Sequence, residues 1–495
     1  MFMWGIAQRT IRLAKEEGPW HLLAVGAIVG LAAGLRLYFL SQPMRYDESY
    51  TFLLYASKPL RVGLSDYSAP NNHLFHTFLV HLAYLLWGNE PWVLRLPALI
   101  AGTLLAPAAY AVGRIFYNRH AGLIAAGLVA SSSALIEYST NARGYTLVCL
   151  VFLVILSLGR YLINGASMSA WLVFAVLSAV GFHTIPIMMY PFGIVTVWIS
   201  LSIILKQDGR MRGALLKRLA MALLVTVVLT LVLYRPVLMR SGPSSVVANS
   251  FVMPMSWLEF ARGAPASVSA MWSKWNRDIP LVLEVLLAAG CALSLLFHKR
   301  ICSQRVPVVL AAVVWLVPVL VVQRVIPPER VWLFLLPLYL TLAAAGLVYF
   351  LSLAEPLFGR HFSVMLAVFA IGLSLLLGWN VVERKSVYFS EDTGALRDAE
   401  EIAGFLKGYL RPGDRVLAAC PADGPLRYYL IREGVSPEYL WSASHGGRRV
   451  LVVVKQPSQT LQELLETARL PLSASHVLLK RYESASLYEI NLPTL

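Results

Sequence analysis

Long apolar runs separated by short polar stretches dominate the chain from residue 20 to residue 381. Eleven of them are long enough to cross about 30 Å of hydrocarbon as helices. They are 20–42, 93–113, 120–138, 145–163, 170–187, 188–205, 219–239, 279–297, 306–323, 331–351 and 363–381. The run 73–87, HLFHTFLVHLAYLLW, is shorter, and its polar positions His73, His76, Thr77, His81 and Tyr84 recur at helical spacing on one face. It predicts a helix lying along the membrane surface, its polar stripe toward water or headgroups. Residues 240–278, with Pro243, Pro254 and Pro265 among Trp257, Trp272 and Trp275, read as a long external loop anchored by tryptophans.

From about residue 386 the pattern changes to that of a soluble domain. Asp398 to Leu410 and the stretches 424–433 and 459–468 predict helices. Arg415 to Cys420, Arg449 to Lys455 and His476 to Lys480 predict strands, so this tail reads as a small α/β domain. The expected fold is therefore a polytopic α-helical membrane protein with a C-terminal soluble α/β domain. Residues 1–385 hold the spans, an external segment 43–92 follows the first of them, and residues 386–495 form the tail.

Charge orients this scheme. The 495 residues carry 42 Lys and Arg against 27 Asp and Glu, a net +15, yet only 14% are charged and 58% are hydrophobic. The basic residues mostly lie between apolar runs, which argues against a nucleic-acid partner and for membrane topology. Lys206, Arg210, Arg212, Lys217 and Arg218 form one basic loop, and His298, Lys299, Arg300 and Arg305 a second. Both are cytoplasmic if the N-terminus is, together with 1–19, 114–119, 164–169 and 352–362. An odd number of spans then puts the tail outside the cytoplasm, whereas counting 73–87 as a span would reverse every later loop. The first run follows Arg9, Arg12 and Lys15 and has no small-residue cleavage site, so it reads as a retained span. Cys149 and Cys291 fall inside spans and Cys302 and Cys420 on opposite sides, so no disulfide framework is implied.

Polar groups at the membrane boundary are candidates for function. Foremost are Asp47 and Glu48, just past the first run in Arg45-Tyr46-Asp47-Glu48-Ser49-Tyr50. Neighbours on a helix diverge by about 100°, so the two carboxylates divide their roles: one faces a cavity as general base and the other orients a neighbour or a metal. Asn71, Asn72 and His73 precede the surface helix and offer donors and acceptors to hydroxyls or phosphate, or a turn and an N-cap. Arg143, in the external loop Tyr138 to Tyr145, and Arg330, after Pro327-Pro328-Glu329, suit a phosphate held by parallel hydrogen bonds. His183 and Tyr190 flank a tight external turn at Pro186. His73, His76 and His81 share a face, but their spacings do not converge on one metal ion.

These residues resemble a known family. Tyr46 to Thr51, Pro70-Asn71-Asn72-His73, Val93 to Pro97, Gly113 to Phe116 and Tyr138 to Tyr145 are similar to the polyprenyl-phosphate-sugar-dependent glycosyltransferases of the GT-C class. The likeness is to the bacterial relatives of protein O-mannosyltransferases and of the lipid A aminoarabinose transferase; it covers residues 30–165, with a looser match from Pro328 to Pro337. The resemblance implies inverting transfer of a sugar from undecaprenyl or a similar polyprenyl phosphate to a lipid, glycan or protein acceptor, on the extracytoplasmic side of a bacterial inner membrane. It implies Asp47 as catalytic base and Glu48 as its companion. Arg143 and Arg330 would hold the donor phosphate with Tyr145, and Arg45, Tyr46, Tyr50, Asn71, Asn72, His73 and His183 would line the substrate site. Many members carry a carboxylate in the second external loop that joins the first Asp around a divalent ion. Here Asn141 and Tyr145 occupy those positions. The expectation is metal-independent transfer, with Mg²⁺ or Mn²⁺ at Asp47 as the alternative. A transporter or flippase of a lipid-linked sugar and a noncatalytic scaffold are the competing classes; Asp47→Asn separates them, since only an enzyme loses turnover while keeping its donor.

Overall fold

A computed structural model describes residues 19–247, 253–440, 449–471 and 475–492. The basic stretch Arg9, Arg12 and Lys15 lies outside the described residues. Each of the eleven predicted spans is occupied by helix. By length and composition, seven helices among the described residues suffice to cross a membrane, or nine if two bent pairs each count as one span. Met168–Thr184 and Val308–Gln323 are apolar but shorter. The chain is a multi-pass membrane protein.

The chain forms two compact units. The first comprises residues up to Phe39, Leu64–Leu79 and Leu96–Val387. Its core is a helical bundle around Ala125, Val129, Phe152, Trp198, Phe334 and Leu340. Two of its helices, Leu281–Leu296 and Leu335–Ser352, approach until their backbones touch: a Cβ on Gly346 would lie 1.8 Å from the Gly290 carbonyl oxygen. The predicted span 120–138 is broken at Ser132, whose ψ of 119° leaves the helical region, into Arg119–Ser131 and Ser133–Ser139 at 61°. The break frees carbonyl groups that the Arg36 guanidinium occupies. It donates to Ala130 O at 3.0 Å and Val129 O at 3.5 Å, with Ala32 O and Ser139 Oγ completing its shell.

The second unit comprises Leu40–Gly63, Val80–Arg95 and Tyr388–Leu495. Strands β1 (Arg415–Leu417), β2 (Arg449–Lys455), β3 (Ser475–Arg481) and β4 (Ala485–Asn491) form a mixed sheet in the order β1-β2-β4-β3. β1 runs parallel to β2, while β4 pairs antiparallel with both β2 and β3. Helices Ala399–Tyr409, Asp423–Arg432 and Leu461–Thr467 fall where the pattern predicted them. β4 has no counterpart in the sequence reading; its Leu487 and Ile490 are buried beside Tyr488 and Glu489, so strict alternation is interrupted.

Two expectations change. Residues 257–276 are a 20-residue helix, not loop. Ser256 Oγ accepts the Glu259 N–H and Glu259 accepts the Ser256 N–H, a reciprocal cap that starts the helix despite Pro265. Leu74–Trp87 is a helix as predicted, but its polar stripe does not face water. His76, Thr77 and His81 are buried, whereas Leu82, Leu85, Leu86 and Trp87 are exposed. An apolar face turned to hydrocarbon and a polar face turned to protein is the arrangement that a membrane solvent favours.

The Gly290–Gly346 crossing has a direct test. Gly346→Ala forces two helices apart and lowers stability by about 1–3 kcal/mol, the usual penalty for overpacking. Gly372→Ala, where a Cβ meets nothing within 4 Å, leaves the thermal midpoint of the detergent-purified protein unchanged or slightly raised.

Candidate active site

In the second unit the candidate residues hang on one buried ion pair. Glu48 and Arg95 are both fully buried, and Arg95 Nη2 donates to Glu48 Oε1 at 2.5 Å while Nε donates to Oε2 at 3.1 Å. The same guanidinium donates to the carbonyl oxygens of Leu40, Gln42 and Pro43 at 2.6–3.0 Å. Glu48 Oε1 also accepts the Arg45 backbone N–H at 2.8 Å, which starts the short helix Tyr46–Thr51. Arg45 is buried too, and donates to the carbonyl oxygens of Ser390 and Asp392 and to Gln42 Oε1. Every turn of the chain from Leu40 to Glu48 is thus tied to a guanidinium.

Asp47, one residue before Glu48 and about 100° away around the helix, is half-buried. Its N–H donates to Thr393 O, and its carbonyl accepts from Thr51 Oγ1 at 2.8 Å. The two adjacent carboxylates therefore differ in burial: Glu48 is fully buried at the centre of the ion pair, and Asp47 is only half-buried. Tyr46 and Tyr50 stack with ring centroids 5.8 Å apart. Burial first, then the negative charge of Asp423 and a hydrogen bond with Cys420, push the Tyr46 phenol above its ordinary value. Gly424 sits against the Tyr46 ring, where a Cβ would come within 2.8 Å.

In the first unit, the loop before Leu74–Trp87 meets the loop that starts the helix Tyr145–Leu162. Arg143 Nη1 donates to Asn71 O at 2.7 Å, and Nη2 lies 3.1 Å from His73 Nε2. The Gly144 N–H donates to His73 Nδ1 at 2.9 Å. A backbone N–H can only donate, so Nδ1 is the acceptor and the neutral ring carries its proton on Nε2. Burial, then the charges of Arg143, His76 and Arg330, hold this imidazole well below its ordinary value. The neutral ring follows, with its Nε2–H pointing at a guanidinium that also only donates. The guanidinium and the imidazole thus lie side by side, 3.1 Å apart.

Tyr145 packs edge-on against His73 and against Tyr138, each with centroids 5.1 Å apart. Gly144 permits the crowding, since a Cβ there would lie 2.7 Å from the Thr184 methyl group and 3.3 Å from His73. Asn72 turns inward: its Oδ1 accepts from Thr77 Oγ1 and its Nδ2 donates to Asp66 O. His183 is buried in the last turn of its helix, edge-on to the Tyr234 ring at 5.8 Å. The structure thus brings Asn71, His73, Arg143, Tyr145 and the field of Arg330 together, and gives Asn72 and His183 partners of their own.

Some members of this cluster were not singled out from sequence. Glu137, buried at the end of the broken span, pairs with Arg277 at 3.1 Å. Lys274 lies over the Tyr138 ring at 5.2 Å. The available signal was a carboxylate inside an apolar run, whereas Lys274 and Arg277 were hidden in a stretch read as loop. Among the described residues no three His, Cys, Asp or Glu side chains converge as a metal site.

Residues 70–239 match the model of the dolichyl-phosphate-mannose-protein mannosyltransferase family. No curated protein matches the chain. Among solved structures it is similar to ArnT from Cupriavidus metallidurans bound to undecaprenyl phosphate, with a TM-score of 0.57 and 15% identity over 93% of this chain and 97% of that one. It is also similar to the oligosaccharyltransferase AglB from Archaeoglobus fulgidus in complex with an inhibitory peptide and a dolichol-phosphate, with a TM-score of 0.51 and 12% identity over 79% of this chain and 58% of that one.

Removing one half of the buried pair exposes its structural weight. Arg95→Ala leaves Glu48 buried without its cation and costs about 3–5 kcal/mol, read as a large drop in thermal midpoint. Arg95→Met with Glu48→Gln recovers part of that loss, because no bare charge remains.

Proposed function

We infer, from the GT-C class of glycosyltransferases to which this chain belongs, that it moves a sugar from a polyprenyl-phosphate donor to an acceptor oxygen with inversion. The acceptor oxygen attacks the anomeric carbon from the side opposite the phosphate. Asp47 takes the acceptor's proton as general base. The bond between the anomeric carbon and the phosphate oxygen breaks, and the polyprenyl phosphate departs with the added negative charge. Arg143 and Arg330 meet that charge, where preorganised donors in a water-poor site lower the barrier most. Glu48 acts through the backbone, holding the turn that presents Asp47.

The observation that carries this reading is the meeting of the Arg143 guanidinium with His73 and the Asn71 carbonyl just before the helix Tyr145–Leu162. A phosphate oxygen is an acceptor for both the guanidinium and an imidazole N–H. The undecaprenyl phosphate of the ArnT structure and the dolichol-phosphate of the AglB structure are lipid phosphates of the class proposed for the donor. We place the reaction on the extracytoplasmic side of a bacterial inner membrane. The N-terminus is then cytoplasmic, residues 1–385 are the catalytic membrane domain, and the 386–495 domain shares the active side.

The test uses purified protein, a panel of radiolabelled polyprenyl-phosphate sugars and a cell-envelope extract as acceptor. Asp47→Asn lowers transfer by about 10²–10⁴-fold, the usual contribution of a general base, and leaves donor affinity unchanged. Wild-type transfer persists in chelator. Donor affinity that falls together with turnover in Asp47→Asn speaks against the base assignment. Arg143→Ala weakens donor binding about 10–100-fold, as loss of a hydrogen bond to a charged group does, and leaves acceptor binding alone. Equal loss of both sinks the phosphate role.

A further inference from the structure

The first unit has a second polar site, far from Arg143. A cleft of about 390 Å³ opens where the helices Tyr145–Leu162 and Met189–Ile204 end and the loop before Val308–Gln323 passes. Arg160, in the last turn of the first helix, lines it. Arg143 precedes that helix, so nearly its whole length, about 25 Å at 1.5 Å per residue, separates the two arginines. The cleft belongs to the opposite end of the bundle.

Its lining is cationic. Arg160, Lys206 and Arg305 all border it. None of the three makes a side-chain ion pair or hydrogen bond among the described residues. The one carboxylate in the lining, Asp208, is engaged: it accepts the backbone N–H groups of Arg210 and Met211 and caps the helix Gly209–Arg240. The wall is also fixed. His298 Nε2 contacts Gln304 O at 2.9 Å, the Ser303 N–H donates to Phe116 O at 2.7 Å, and Trp198 Nε1 donates to Val306 O at 3.0 Å. Leu205 and Met211 border the same cleft and are exposed, so an apolar surface adjoins the charged one. Three cations without counter-ions beside exposed apolar side chains at a helix-bundle end fit an amphiphile with an anionic head.

We propose that this cleft binds an anionic phospholipid, its phosphate between Arg160, Lys206 and Arg305 and its acyl chains along Leu205 and Met211. It lies beside the two basic loops 206–218 and 298–305, so an anionic leaflet concentrates the ligand there.

The test counts lipids retained by the full chain in native mass spectrometry, from micelles doped with phosphatidylglycerol or phosphatidylcholine. Wild type retains phosphatidylglycerol at concentrations where phosphatidylcholine is lost. Each basic residue contributes about fivefold at an anionic surface. Arg305→Gln alone, an exposed site that spares the fold, weakens retention about fivefold. Combined with Arg160→Gln and Lys206→Gln it weakens retention on the order of 100-fold. Lys299→Gln, equally basic but outside the cleft, leaves retention unchanged. Equal retention of the two lipids by wild type overturns the proposal. So does a loss in Lys299→Gln as large as in Arg305→Gln. Displacement of phosphatidylglycerol by equimolar inorganic phosphate or polyprenyl phosphate overturns the phospholipid assignment.

Discussion

A guanidinium buried among apolar helices must find acceptors, and backbone carbonyls are available only where a helix stops. That constraint organises this protein. Arg36 occupies carbonyls freed by the break at Ser132, Arg95 those of the Leu40–Pro43 turn, and Arg143 that of Asn71. Each of these three arginines marks a place where the chain leaves its helix, and those at Arg95 and Arg143 carry candidate chemistry. Arg95 and Glu48 illustrate the logic. The pair is no cheap source of stability, because desolvating two charges offsets much of their attraction. It fixes one conformation of a segment that would otherwise be a loose loop.

The consequence for function is a division of labour between adjacent residues. Glu48 is committed to Arg95 and to the Arg45 N–H, so its carboxylate is held in place. Asp47 inherits that rigidity through the backbone and is itself only half-buried. The loop at Arg143 follows the same rule. The Gly144 N–H sets the tautomer of His73, and that tautomer aims an N–H alongside the arginine. Donors oriented before a ligand arrives need no reorganisation when charge develops.

Much of this was legible in sequence. Apolar length located the helices, since a segment with no water to bond must satisfy its backbone internally. Composition located the tail, and the continuous run Val450 to Val454 located its central strand, now paired on both edges. Asp47, Arg143 and Arg330 stood out because charge at a membrane boundary is expensive. Glu137, Arg95 and Lys274 did not. Arg95 entered only as part of the Val93 to Pro97 resemblance, and nothing local says that its partner lies 47 positions earlier. The surface helix 74–87 was found, but its polar face was turned the wrong way, because helical spacing defines a face without saying which solvent it meets.

The sequence by itself determined where helices form and which residue types stand at their ends, because hydropathy, capping and charge act over a few neighbouring residues. Only the tertiary structure decided which carbonyls each buried arginine would find, that Glu48 would be committed to Arg95, and that a break at Ser132 would open the helix for Arg36. Those outcomes depend on groups tens to more than a hundred residues apart, such as Arg36 and Ser139 or Glu137 and Arg277. In a low-dielectric interior the need to satisfy each polar group, rather than any local preference, selects the partner.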